Sequence, residues 1–224
     1  VDADALRRAG EALLRRHPNL RAAFRFRRSG DPVALVPRAA ELPWRSVDLT
    51  GLDAGARRAE LDRIAADERT RPFDVGRPPL LRLALVRTDE TCYTVLLTFH
   101  HILLDGWSVP RLVTELFTLY GARGDDAGLA APVPYRRYLA WLSTQDAEAS
   151  VAAWRRYLDG IDGPTLVATG AGAERVQHVA VERVVLEDRV RVEQFAAARG
   201  QLREPHVLVC QQPGLTGLHP GEQF

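Results

Sequence analysis

The 224-residue sequence contains no methionine and only two cysteines, Cys92 and Cys210. It opens at Val1 inside a helical pattern, and with no methionine anywhere it reads as a piece of a longer chain. The two cysteines have neither zinc-ligand spacing nor the number that a disulfide framework needs. A reduced, cytoplasmic setting is therefore expected. No charge of one sign dominates. Thirty basic against 29 acidic side chains leave a net charge of +1, so the basic stripe of a nucleic-acid binder is not expected. No apolar run reaches membrane length and no signal peptide is visible, so a membrane partner is not expected either. Internal repeats are absent too. What is present is material for a core: 46% of residues are apolar and 26% charged, enough for one domain or two small ones.

Periodicity and punctuation give an alternating α/β order. Residues 3–16 carry helix spacing with Ala5, Leu6, Leu13 and Leu14 on one face, closed by Pro18. Strand-like pieces follow at Ala22–Phe26 and Val33–Val36, then a charged, Ala-rich helix pattern over 54–69. Pro and Gly residues between Arg71 and Pro79 mark a turn region. Leu81, Leu83 and Leu85 alternate with Arg82 and Ala84, Thr88-Asp89-Glu90 supplies a turn, and Cys92–Phe99 returns as a second strand. Ser108 is placed to cap a helix over Pro110–Tyr120, whose stripe is Val109, Leu112, Val113, Leu116, Leu119 and Tyr120. After a polar loop over Gly121–Pro134, helices are expected at 135–145 and 149–159. Tyr135, Tyr138 and Trp141 there read as core residues. Gly160–Gly172 reads as a linker, Val179–Leu186 as a strand and 187–199 as a helix. Residues 201–224 show no sustained period, and Val207–Val209 is too short to count as a strand.

The most informative stretch is His100-His101-Ile102-Leu103-Leu104-Asp105-Gly106, between an apolar strand and an amphipathic helix. Histidine titrates near neutral pH and is the commonest side chain for moving protons. Neighbours on a strand face opposite ways. His100 shares its parity with Thr94, Leu96 and Thr98, and His101 with Val95, Leu97 and Phe99. Those neighbours do not decide which imidazole faces a pocket. Gly106 permits a sharp reversal after Asp105. A metal would need further ligands, and His17, His178, His206 and His219 have no ligand-like spacing. Ser108 lacks the Gly-x-Ser-x-Gly surroundings of a nucleophile elbow.

His100–Gly106 resembles the HHxxxDG signature of the condensation domains of nonribosomal peptide synthetases. Trp107-Ser108 continues it as in peptide-bond-forming members. Arg16–Phe24 resembles the family's RHxxLRTxF segment, with Ala22 in place of Thr. Arg71–Leu81 is similar to its RPFDLxxxPLxR stretch. Tyr135–Leu142 is similar to its YxDFAxWQ segment, with Arg137 where Asp is common. The four segments occur in family order over about residues 3–200.

The resemblance implies an α/β, chloramphenicol-acetyltransferase-like fold of two lobes with a tunnel between them. Residues 1–160 would be the N-terminal lobe, 161–178 a linker and 179–200 the start of the second lobe. Residues 201–224 do not match the family's continuation and read as a divergent tail, frameshifted or disordered. The implied reaction joins an acceptor aminoacyl thioester to a donor acyl or peptidyl thioester. Both are carried on 4'-phosphopantetheine arms of donor and acceptor carrier proteins, with an adenylation domain adjacent and no cofactor held directly. His101 would be the catalytic histidine, as general base or as positioning hydrogen-bond partner. His100 would pack or orient, and Gly106 would offer backbone near the reaction centre. Asp105 would pair with Arg21 to pin the loop. Ile102-Leu103-Leu104 and Trp107-Ser108 are similar to members that take L-configured donors. With half a tunnel, this chain alone is expected to be inactive. A non-catalytic docking module and an acyl-CoA-dependent HxxxD acyltransferase are the alternatives.

Overall fold

The computed structural model describes residues 1–161 and 163, together with the backbone of 206–212. The strand expected at Val179–Leu186, the helix at 187–199, His178, His219 and most of the linker lie outside the described residues. The chain divides into two compact units. The first holds Val1–Pro132 and the strand His206–Gln212, and the second begins at Val133.

The first unit is built on a four-stranded sheet in the order β3-β4-β5-β6. The strands are β3 (Trp44–Asp48), β4 (Leu81–Arg87), β5 (Tyr93–His100) and β6 (His206–Gln212). β4 and β5 form the expected antiparallel hairpin, with Leu81 opposite Phe99 and Arg87 opposite Tyr93. Its turn is closed by the Thr88 N–H on the Cys92 carbonyl at 2.9 Å. β3 runs parallel to β4, and β6 runs parallel to β5 with His206 opposite Thr94 and Gln212 opposite His100. β3 carries no signal that sequence reading used. It is a short edge strand with no buried residue, so alternation is weak there. β6 lies inside the segment read as a divergent tail, and it supplies the second neighbour of β5.

Helices cover both faces. α1 (Ala3–Arg16) and α3 (Ser108–Gly121) pack on one face. Leu6, Leu13, Leu14, Leu112, Leu116 and Leu119 meet Leu83, Leu85, Val95, Leu97 and Phe99 there. α2 (Ala54–Thr70) covers the other, bringing Ile64 and Ala65 to Ala84, Val86 and Leu96. A strand covered twice is apolar throughout rather than alternating. This is why β4 is buried from Leu81 to Val86, Arg82 included, where an alternating pattern was read. α1 and α2 are capped by Asp2 and Asp53, whose carboxylates accept from the N–H groups of Ala5 and Ala56 at 2.9 Å. Gly10 lets α1 approach the sheet: a Cβ there would lie 2.5 Å from Leu42 Cδ2 and 2.8 Å from Leu83 Cδ1. β1 (Ala23–Phe26) and β2 (Pro32–Leu35) form a separate antiparallel hairpin, tied to the turn region by the Phe24 N–H on the Val75 carbonyl at 2.8 Å.

The second unit holds α4 (Tyr135–Leu142) and α5 (Ala147–Tyr157). Tyr135, Tyr138 and Trp141 stack along α4 with ring centres 5.6 and 5.8 Å apart. These three were read as core, yet no residue of α4 or α5 is buried. Helical spacing makes the stripe; burial needs a covering surface besides. Among the described residues no helix is long and apolar enough to cross a membrane.

Candidate active site

The histidine loop starts where β5 ends. His100 is the last residue of the strand and continues the Thr94–Leu96–Thr98 face, the one beneath α2. That settles the parity left open by the sequence, and His100 is buried at 6% exposure. Its backbone N–H donates to the Leu80 carbonyl at 2.9 Å. Its Nδ1 accepts the Ile102 N–H at 3.1 Å. An acceptor at Nδ1 requires that atom to be unprotonated, so the neutral ring carries its hydrogen on Nε2. Burial first, and the neighbouring His101 second, push the His100 pKa below its ordinary 6.5.

His101 lies just past the strand end and is exposed. Its Nδ1 sits 2.7 Å from the Leu104 carbonyl oxygen. A carbonyl can only accept, so Nδ1 is the donor and Nε2 of the neutral ring carries the lone pair. The two adjacent histidines are thus held in opposite tautomers. Leu104 is an effective anchor because its side chain is buried in the cluster that joins α1, α3 and the sheet. Sequence reading did not find this carbonyl; no residue type signals a backbone oxygen.

Asp105 is exposed and holds the start of α3. Its Oδ1 accepts the Ser108 N–H at 2.8 Å and the Ser108 hydroxyl at 2.6 Å. The Ser108 hydroxyl first, and its N–H second, hold the carboxyl below the ordinary carboxylate range. Ser108, expected as the cap, is the partner of the capping side chain and lies within the first turn. Gly106 is exposed, and a Cβ there would meet nothing within 4 Å. It is not among the positive-φ glycines, so the reversal does not draw on glycine's special freedom. Trp107 stands 88% exposed beside it.

The expected Arg21–Asp105 pair is corrected. Arg21 is buried and donates to the carbonyl of Leu14, to that of Arg15 at 3.0 Å and to that of Pro37 at 3.1 Å. The physical reason is that the last carbonyls of α1 lack helical partners, and a guanidinium fork satisfies several at once. Arg16 and His17, from the same motif, reach Glu115 on α3 at 3.2 and 2.6 Å. The motif around Arg21 therefore fastens α1 to its surroundings, and among the described residues no ion pair joins it to Asp105.

A model of the family described as "Condensation domain" matches residues 1–187. Bacitracin synthase 1 of Bacillus licheniformis is 32% identical over 188 residues, which is 83% of this chain and 4% of that protein. Chondramide synthase of Chondromyces crocatus is 36% identical over 173 residues, 74% of this chain and 4% of that protein. The chain thus spans a few per cent of the length of these curated relatives. Among solved structures, the EpoB cyclization-docking bidomain from Sorangium cellulosum superposes with a TM-score of 0.64 at 24% identity, covering 81% of this chain and 37% of that one. The first condensation domain of the calcium-dependent antibiotic synthetase, in complex with a substrate analogue, gives a TM-score of 0.55 at 23% identity, covering 74% of this chain and 40% of that one. These structures share the chloramphenicol-acetyltransferase-like fold. A two-face α/β unit with the histidine loop at its strand end, matched by the family model over most of its length, makes this chain a member of the condensation-domain family of nonribosomal peptide synthetases.

Proposed function

We propose that His101 serves amide-bond formation between two carrier-bound thioesters. One observation supports this most: the Nδ1–H bond to the Leu104 carbonyl leaves the Nε2 lone pair of an exposed imidazole free. The acceptor amine nitrogen attacks the donor thioester carbonyl, forming a C–N bond and a zwitterionic tetrahedral intermediate. Nε2 then takes the proton shed by nitrogen. Collapse breaks the C–S bond, and the departing pantetheine sulfur ends as a thiol with a proton returned by the imidazolium. An α-amine has a pKa of about 8, so part of it is neutral before attack. Alignment of the amine therefore weighs as much as its deprotonation. His100 orients the loop through Ile102, Asp105 holds the first turn of α3, and Arg21 ties off α1. Gly106 offers backbone near the reaction centre.

Donor and acceptor carrier proteins deliver both substrates on 4'-phosphopantetheine arms, with an adenylation domain adjacent and in the cytoplasm. The chain itself holds no cofactor. In this reading the second lobe is needed for turnover, and the 224 residues alone are inactive. The experiment is a carrier-to-carrier transfer assay on the two-lobe domain carrying this sequence. His101→Ala is expected to slow transfer by about 10²–10⁴-fold. A folded variant that transfers at the unchanged rate removes His101 from the chemistry.

A further inference from the structure

We propose that the buried Glu68–Arg82 pair is a positioning element for the histidine loop, acting through the strand end rather than by touching substrate. It rests on the reading of His101 given above. Both side chains lie inside the α2 face of the sheet, Glu68 at 3% and Arg82 at 5% exposure. Arg82 Nε donates to Glu68 Oε2 at 2.5 Å. Its Nη2 donates to the carbonyls of Glu68 and Arg71 at 2.5 and 2.7 Å. Those carbonyls belong to the last turn of α2 and its C-cap, where helical partners run out. The Phe73 ring lies 4.2 Å from the guanidinium carbon, and Arg71 reaches the Glu68 carboxylate at 3.0 Å. One fork on β4 therefore holds the end of α2 and the beginning of the segment that runs from Arg71 back to Leu80.

The link to the site is through the backbone. Arg82 faces Thr98 in the β4–β5 register. Two residues along, the Leu80 carbonyl accepts the His100 N–H at 2.9 Å, the last rung before the chain turns toward His101. Arg82 clamps the segment that ends in that carbonyl. The Glu68–Arg82 ion pair by itself is a poor source of stability, because well-packed apolar residues of similar volume stabilise as well or better. Directional bonds supply what apolar packing lacks, a single arrangement of α2, the 71–80 segment and β4. That arrangement sets where His100 ends the strand, and so where the next imidazole meets the Leu104 carbonyl.

The test replaces Glu68 and Arg82 together by leucine in the 224-residue chain and reads the tautomers of its six histidines by long-range ¹H–¹⁵N spectra on ¹⁵N-histidine protein. The unsubstituted chain is expected to hold His101 as Nδ1–H and His100 as Nε2–H. The E68L/R82L chain is expected to stay folded, while the Nδ1–H share of His101 falls toward that of a free imidazole. A folded double variant with the His101 tautomer unchanged overturns the proposal. Should the double variant not fold, Arg82→Lys decides, since lysine keeps the charge but has no fork to hold two carbonyls and a carboxylate at once. A partial loss of the His101 Nδ1–H form is expected there, and an unchanged tautomer overturns the proposal. An unsubstituted chain without the Nδ1–H form would instead overturn the reading of the site itself.

Discussion

Two neighbouring histidines are held in opposite hydrogen-bonding states because their Nδ1 atoms meet different backbone groups. His100 Nδ1 receives an N–H and His101 Nδ1 gives one to a carbonyl. The first bond exists only while His100 is neutral, and burial lowers its pKa below 6.5. The unfolded chain therefore binds more protons than the folded one as pH drops. Stability is full above 6.5 and is lost as pH falls below it. Urea midpoints of the chain at pH 7.5 and 5.5 are expected to differ in that sense, and His100→Gln is expected to flatten the difference. Asp105 and Arg21 are a second case. Because Asp105 holds Ser108 and Arg21 holds the end of α1, Asp105→Ala and Arg21→Leu are expected to be additive in a double-mutant cycle. Arg21→Leu alone, which strips partners from carbonyls of α1, is expected to cost about 1–3 kcal/mol by denaturation. A measured coupling between the two would restore the ion pair that the motif resemblance implied. His100, His101 and Asp105 were legible in the sequence from residue type and spacing, and Arg21 from the motif resemblance. Their partners were not, because Leu104, Leu14 and Arg15 act through backbone oxygens that every residue has.

Elements came through where their side chains repeat with a helix or strand period. α1 and α3 announce themselves because one buried face repeats every three or four residues. The β4–β5 hairpin does so because a turn separates two apolar runs. β3 is absent from the sequence reading because an exposed edge strand has little periodicity to show. α4 and α5 were recognised as helices, but their aromatic stripe is exposed rather than core, since helical spacing says where side chains point and not what covers them. Within β5, the Thr98 hydroxyl is buried without a partner among the described residues. Such a group carries its desolvation cost uncompensated. Thr98→Val, equal in shape, is expected to leave the denaturation midpoint unchanged or to raise it; a clear drop would mean that the hydroxyl has a bonded partner after all.

At the scale of the molecule, β6 completes the sheet. It pairs with β5 over the whole length that ends in His100. Without it β5 becomes an exposed edge, and unpaired edges recruit other chains. A chain ending at residue 205 is expected to unfold at lower urea and to self-associate in sedimentation, where the 224-residue chain does not. The sequence by itself determined the α/β order, the apolar faces and the His100–Gly106 motif, because these are periodic or positional properties of side chains. Only the tertiary structure decided that His100 is the buried histidine and His101 the exposed one, that Asp105 serves α3 while Arg21 serves α1, and that Glu68 meets Arg82. Each depends on which strand face α2 covers and on which backbone groups the folded chain brings within hydrogen-bond reach, and neither is a property of local sequence.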